Sequence, residues 1–287
     1  MGTQDFMGDI IPEIPLSEWV ESLLDFLTDV LSGATRAVSV VFRTGIREIT
    51  DTLDALPPIV LIVVLVAIAW VVAGRRIATG SFIGFLFIWN IGLWEAMVST
   101  LVLVFFATIL AVALGLPLGI LAGLYDRFFA IVKPVLDFMQ TMPAFVYLIP
   151  AIPFFGLGAT SAIMSTVIFS IPPTIRLTAL GIRQIDKELV EAADSFGSTT
   201  VQKLVKLQLP LSLPTVMAGI NQTIMLALSM VVIASMIGAG GLGGEVWRAI
   251  QRLRPGDGFA AGLAVVILAM ILDRVTQKIA VRERKAS

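Results

Sequence analysis

The chemistry open to this chain is limited first by the side chains it lacks. Its 287 residues include no histidine and no cysteine, which removes imidazole proton relays, thiol nucleophiles, disulfides and the commonest metal ligands. The dipeptide Gly-Lys is absent, so there is no phosphate loop of the Gly-Lys-Ser/Thr kind. One segment does carry arranged charge: "KELVEAADSFGSTTVQKLVKLQLP", Lys187 to Pro210. Glu188, Glu191 and Asp194 recur every three residues and share one helical stripe, while Leu189, Ala193 and Phe196 form an apolar one. Gly197 suits the left-handed position past a helix end, and Ser198 or Thr199 can cap the next turn. That second short helix carries Val201, Leu204 and Val205 beside Lys203 and Lys206, and Pro210 marks the return to apolar chain. Such a two-faced helix-turn-helix suits recognition rather than catalysis, with one face to hold a helix bundle and the other to meet a partner. The plainer alternative is a solvated loop with ordinary charge decoration.

The elements that must position this segment are apolar. Hydrophobic residues make up 57% of the chain and charged residues 14%, against about 25% charged in soluble domains; the mean hydropathy is +0.94. Charge-free runs cover Ala55 to Gly74, Ile77 to Trp94, Ala96 to Tyr125, Phe138 to Ile175, Leu207 to Gly244 and Gly258 to Leu272, and one helical crossing of a bilayer needs about 20 apolar residues. The expectation is an all-α, polytopic membrane protein with about seven crossings: Pro57 to Ala73, Ile77 to Trp94, Met97 to Leu124, Pro143 to Leu157, Thr160 to Leu180, Leu213 to Gly238 and Phe259 to Val275. An amphipathic connector, "DRFFAIVKPVLDFMQ", precedes the fourth. Ahead of the first lies residues 1–56, a tail whose stretch from Leu16 alternates Trp19, Leu23, Leu27 and Val30 with Glu18, Glu21, Asp25 and Asp29. It is too amphipathic to cross, and is expected to lie flat on a membrane surface or against the bundle. The first 15 residues have no basic region ahead of an apolar one and do not read as a cleaved signal peptide.

Lysine and arginine counts choose an orientation. With the N-terminus outside, the inner loops receive 14 of the 20 basic residues, which places Lys187 to Pro210 and the C-terminus in the cytoplasm. If the short Ile77 to Trp94 run were re-entrant, orientations before it would flip. A net charge of -1 leaves no footprint for nucleic acid.

"EAADSFG", nine residues and then "LQLP" resemble the EAA loop of ABC importer permeases, through Glu191, Ala192, Ala193, Gly197, Leu207, Gln208, Leu209 and Pro210. Leu207 stands where many members have isoleucine. Further stretches, "LPLGI" from Leu116, "MPAFVYLIP" from Met142, "IPPTIRLTALGI" from Ile171, "LPLSLPTVMAGINQTIMLALSMVVIASMIGAGGLG" from Leu209 and "ILDRVTQ" from Ile271, resemble the permeases of glycine betaine, proline betaine, choline and carnitine importers. The resemblance covers roughly Leu56 to the C-terminus. It implies a type I ABC importer permease fold in residues 57–285, in a bacterial cytoplasmic membrane. It also implies that residues 186–210 form a coupling helix docking into an ATP-binding subunit, with Glu188, Glu191, Ala192, Ala193, Asp194, Gly197, Leu207 and Pro210 as its contact and hinge residues. Two ATPase subunits, a second copy of this chain and an external substrate-binding protein are the implied partners. ATP and magnesium would belong to the ATPase, so this chain would have no cofactor, no metal and no catalytic residue of its own. Another small solute, such as an amino acid, stays open as cargo, as does an ion-coupled transporter or a channel.

The driving force bears on that choice. Proton-coupled transporters usually carry acids or histidines at mid-membrane depth, whereas Arg176, Asp273 and Arg274 lie toward expected cytoplasmic ends and Glu95 at an external turn. In the sixth expected crossing Asn221, Met225, Leu228, Val232, Ser235 and Met236 share a face, with Ser229 at its margin. That face is a candidate wall of the translocation path, or a packing surface of small and polar groups. A quaternary ammonium solute calls for aromatic faces, for which Tyr147, Phe145 and Trp247 are available, although such residues also anchor helices at interfaces. "GAGGLGGEVW" offers Gly238, Gly240, Gly241 and Gly243 for a moving gate, a tight re-entry or a plain turn.

Overall fold

The computed structural model describes residues 15–284, with side chains to Lys278. The first 14 residues of the expected tail, and Lys285, lie outside them. No strand occurs among the described residues.

Helix α1, Leu16–Asp54, is 39 residues long. It continues through Gly33, because a lone helical glycine costs only about 1 kcal/mol. Leu23, Phe26 and Val30 on its first half are exposed, whereas Ile46 is buried in its second half and Phe42 meets Phe106 edge to face. Of the two placements expected for it, packing against the bundle is made by the second half.

After a sharp bend come α2, Pro58–Ala73, and α3, Arg75–Asn90, joined at Gly74. Each has 16 residues, a rise of about 24 Å against roughly 30 Å of hydrocarbon. Helix α4, Trp94–Leu124, follows, then the amphipathic α5, Asp126–Thr141. A 3-10 turn at Ala144–Tyr147 leads into α6, Leu148–Phe155, and then α7 runs from Ala159 to Arg183. The fourth expected crossing, Pro143 to Leu157, is therefore no spanning helix. Its eight-residue α6 rises only about 12 Å, and α5 turns into it through 112°. The cause lies in "TMPAFVYLIPAIP", whose prolines 143, 150 and 153 cannot donate helical hydrogen bonds.

Next come α8, Lys187–Ser195, and α9, Thr200–Lys203, which passes through a π turn, Leu204–Gln208, into α10, Leu209–Ala234. Helix α11 is Gly241–Gln251, and α12 is Pro255–Arg284. Four of these rods are long and apolar enough to cross a membrane: α4, α7, the continuous Thr200–Ile237 and α12; there are up to six if each bent pair counts as one crossing. The expected third, fifth, sixth and seventh crossings each correspond to one of these four rods.

Helices α4, α7 and α10 form the centre. Lipid is as apolar as leucine, so helices gain from packing in a membrane chiefly where small residues let backbones approach. Gly115, Gly119 and Gly123 line one side of α4 at four-residue spacing, against Thr174, Thr178 and Ile182 of α7. A Cβ at Gly119 would lie 2.6 Å from Thr178 Cβ and 2.9 Å from the Ile175 carbonyl oxygen. On the other side of α7, Gly181 fits against Ser212 and Thr215, and Gly219 of α10 against Leu177 and the Pro173 carbonyl. Buried Thr174 and Thr223 share a 2.8 Å hydroxyl hydrogen bond, and Thr223 also donates to the Ser170 carbonyl at 2.9 Å. Replacing Gly119 by leucine should lower the melting temperature of the purified chain, by the roughly 1–3 kcal/mol typical of an overfilled core. Gly80→Ala, at a position with no atom within 4 Å of the added Cβ, should leave it unchanged or slightly raised.

Candidate functional site

The bundle has two distinct ends. At one, Arg183 of α7 donates from Nε to the Ala122 carbonyl at 2.9 Å, pairs with Asp126 at 2.8 Å and lies 4.3 Å from the centre of the Phe129 ring. These contacts fix the exits of α4 and α7 side by side, and the α8–α9 hairpin leaves from there. At the other end, the Gly158 amide donates to the Ile237 carbonyl at 3.0 Å, joining the start of α7 to the end of α10.

The hairpin is built by its caps. Past α8, the Gly197 amide donates to Asp194 O at 2.9 Å and the Ser198 amide to Ala193 O at 3.1 Å, the paired bonds of a Schellman close. They require the left-handed backbone that Gly197 adopts at φ +74°. Of the two possible caps, Thr199 is the one used: its hydroxyl accepts from the Gln202 amide at 3.3 Å while Gln202 Oε1 accepts from the Thr199 amide at 2.9 Å, a capping box. Lys203 then reaches both carboxylate oxygens of Asp194, at 2.7 and 2.8 Å, and pins the angle between the two helices.

Three expectations change here. The acidic stripe divides, since Asp194 is held by Lys203 while Glu188 and Glu191 make no ion pair among the described residues. The apolar stripe does not hold the bundle. Leu189 is 45% exposed and Phe196 90%, with Val201 and Val205 also exposed beside them; only Ala193 is half-buried, and Ala192 is exposed. Finally, Pro210 does not end a short helix. Leu207 and Gln208 belong to the π turn, and Pro210 sits at the start of α10 inside a 38-residue rod, Thr200–Ile237. The wider turn just before it is where the ladder accommodates a residue without an N–H.

The remaining candidates are dispersed. Tyr147 is buried, donates its hydroxyl to the Met139 carbonyl and meets Phe169 edge to face at 5.6 Å, so that it clamps the α5–α6 bend. The candidate path face also divides. Leu228 and Ser235 are buried, and Ser235 donates to the Val232 carbonyl at 2.6 Å. Asn221 binds Asp273 of α12 at 3.1 Å and accepts a hydrogen bond from Thr276. Met225 is half-buried, while Ser229 and Met236 stay exposed, Ser229 with its hydroxyl on the Met225 carbonyl. Of the partners, Asp273 was noted in the sequence only as a charge near a cytoplasmic end, and Thr276 and Gln277 only as part of "ILDRVTQ". Asp273 and Gln277 stand at i,i+4, the one local signal for them; nothing in the pattern points to Asn221.

The glycine loop is closely seated on the bundle. Gly238, Gly240 and Gly241 all have positive φ, which lets the chain turn back and begin α11. There the Leu242 amide donates to the hydroxyl of fully buried Thr100 at 2.8 Å. A Cβ at Gly241 would meet that hydroxyl at 2.4 Å, and one at Gly243 would meet the Val232 backbone at 2.7 Å.

A helical membrane subunit with a pinned, uncovered hairpin at one end is the class these features define. Residues 115–285 match the family described as binding-protein-dependent transport system inner membrane component, and the chain belongs to that family. It is 46% identical over 276 residues to the glycine betaine transport system permease protein OpuAB of Bacillus subtilis, covering 96% of this chain and 98% of that protein. It is 51% identical over 271 residues to the glycine betaine/carnitine transport permease protein GbuB of Listeria monocytogenes, covering 93% and 96%. In fold it is similar to a chain of the MetNI methionine ABC transporter in an inward-facing conformation, with a TM-score of 0.61 and 22% identity over 67% of this chain and 95% of that one.

The Asp194–Lys203 pair can be tested directly. A double-mutant cycle with Asp194→Asn and Lys203→Gln, read by thermal melting, should return a coupling of up to about 1 kcal/mol, as for other part-exposed pairs.

Proposed function

We propose that this chain is the transmembrane permease subunit of an ATP-driven importer for glycine betaine or a related quaternary ammonium solute such as choline, proline betaine or carnitine. The observation that carries the reading is the uncovered hairpin: Leu189, Phe196, Val201 and Val205 project beside unpaired Glu188 and Glu191 from a segment whose own angle is fixed. Exposed apolar groups grouped this way mark a protein contact, and on this reading the contact is the ATP-binding subunit, one per permease in a complex containing two of each. ATP and magnesium belong to that subunit. The hairpin end is cytoplasmic, in line with the distribution of lysine and arginine, so the N-terminus lies outside and the glycine loop faces an external substrate-binding protein. The relatives named for glycine betaine and carnitine support the cargo class over an amino acid.

Asp273, close to the hairpin end, is engaged by Asn221 and Gln277, which favours energy supplied by a partner over an ion gradient. Chemistry follows from this division of labour: the permease supplies a gated route and the partner hydrolyses ATP.

Uptake of labelled betaine, choline and a neutral amino acid into vesicles containing this chain with its ATPase and binding protein should require ATP and prefer the quaternary ammonium solutes. Uptake by this chain alone on a sodium or proton gradient would overturn the reading. Phe196→Ala should weaken ATPase association roughly thirtyfold, as loss of an aromatic anchor worth about 2 kcal/mol does, without altering the melting of the free permease. Gly197→Asp or Glu191→Lys should abolish uptake while insertion is unchanged.

A further inference from the structure

Between α3 and α12, at the hairpin end, lies an open groove of about 790 Å³. The two helices touch at Gly84, where a Cβ would come within 2.7 Å of Ile267, and diverge at Gly80, where nothing lies within 4 Å. The floor is apolar, with Ile267 and Ile271 from α12, and the exposed side chains of Ile83 and Met270 stand at its rim. At its mouth are three cations, Arg76, Arg274 and Lys278. None of the three has an ion pair or a side-chain hydrogen bond among the described residues. Arg76 adds to this by standing in the first turn of α3, where a helix dipole favours an anion over a cation.

One further group is left over. Ser81 lines the groove at 2% exposure, and its buried hydroxyl has no hydrogen-bond partner among the described residues. A helical serine in a membrane ordinarily returns its proton to a carbonyl one turn back, or to a neighbouring helix.

From these observations we infer that the groove is a binding site for an anionic phospholipid of the leaflet on the hairpin side. Its depth fits: from Arg76 to Phe87 the wall rises about 16 Å, and the same holds from Arg274 back to Leu263, half of a roughly 30 Å hydrocarbon core. The phosphate sits among the three cations, one acyl chain fills the space opened by Gly80, and the Ser81 hydroxyl donates to a lipid oxygen. Charge chooses the occupant, because a zwitterionic headgroup brings its own cation to a site that already holds three. The inference requires only that the chain sits in a bilayer, and it is separate from what the chain transports.

The test uses the full-length chain in mixed micelles, titrated with phosphatidylglycerol or phosphatidylcholine of identical acyl chains, with native mass spectrometry counting retained lipid. Phosphatidylglycerol should be preferred about a hundredfold, near 1 kcal/mol for each cation at 1.4 kcal/mol per tenfold. The combined variant Arg76→Gln, Arg274→Gln, Lys278→Gln should retain the two lipids almost equally, whereas Arg248→Gln, Arg252→Gln, Arg254→Gln, at the other end of the bundle, should keep the preference. Gly80→Leu should reduce retention of both lipids at an unchanged melting temperature, because the added side chain occupies the groove without meeting another atom at its Cβ. Three results would each overturn the assignment. They are an undiminished preference in the first variant, full displacement of phosphatidylglycerol by millimolar inorganic phosphate, and a doubling of mass with no lipid retained, which would give the groove to a second copy of the chain.

Discussion

Backbone proximity between α4, α7 and α10 is the constraint on which everything else rests. In water a bundle can be held by burying greasy side chains; in lipid that term nearly vanishes between helices, and association depends on dispersion contacts and interhelical hydrogen bonds. The glycines of α4 on one side of α7, and Gly219 with the Thr174–Thr223 pair on the other, supply both. With the centre fixed, the exits of α4 and α7 can be pinned by one arginine, Arg183, and the hairpin departs from a defined place.

Rigidity and exposure are combined in that hairpin in an unusual proportion. Its internal geometry is heavily determined by the Schellman bonds, the capping box and Lys203 on Asp194, yet its largest side chain, Phe196, is almost entirely in solvent. A segment that only connected two crossings would have no use for that combination. A preorganised surface loses little freedom on association, which fits the docking role proposed for it.

Much of this was legible in the residues, and the failures have identifiable physical causes. The charge-free runs locate α4, α7, α10 and α12 because a crossing helix must keep charge out of its central turns, a requirement too strong to hide. The EAA-like spacing locates the hairpin because Gly197 is needed for its backbone sign and Thr199 for its cap, both local demands. Periodicity was misleading wherever it had to name a neighbour. It grouped Asn221 with Ser235, although one belongs to a polar knot with α12 and the other is buried at the glycine end. It offered Leu189 and Phe196 to the bundle, since an apolar stripe looks the same whether its cover comes from its own chain or another. Pro210 read as a boundary because a missing N–H usually is one; the π turn that absorbs it leaves no mark in composition.

That π turn alters how the chain would behave as a mechanism. Had the helix broken at Pro210, the hairpin would be a tethered flap, and motion at its tip would dissipate in the joint. Instead, Thr200–Ile237 is one rod of about 57 Å. Its far end abuts Gly158 and the turn into α11. A tilt of about 5° imposed at one end becomes a displacement of roughly 5 Å at the other, by lever geometry over that length. The stagger in the ladder beside Pro210 would then act as the compliant section of the shaft, setting how much of an applied rotation arrives as translation and how much as bending.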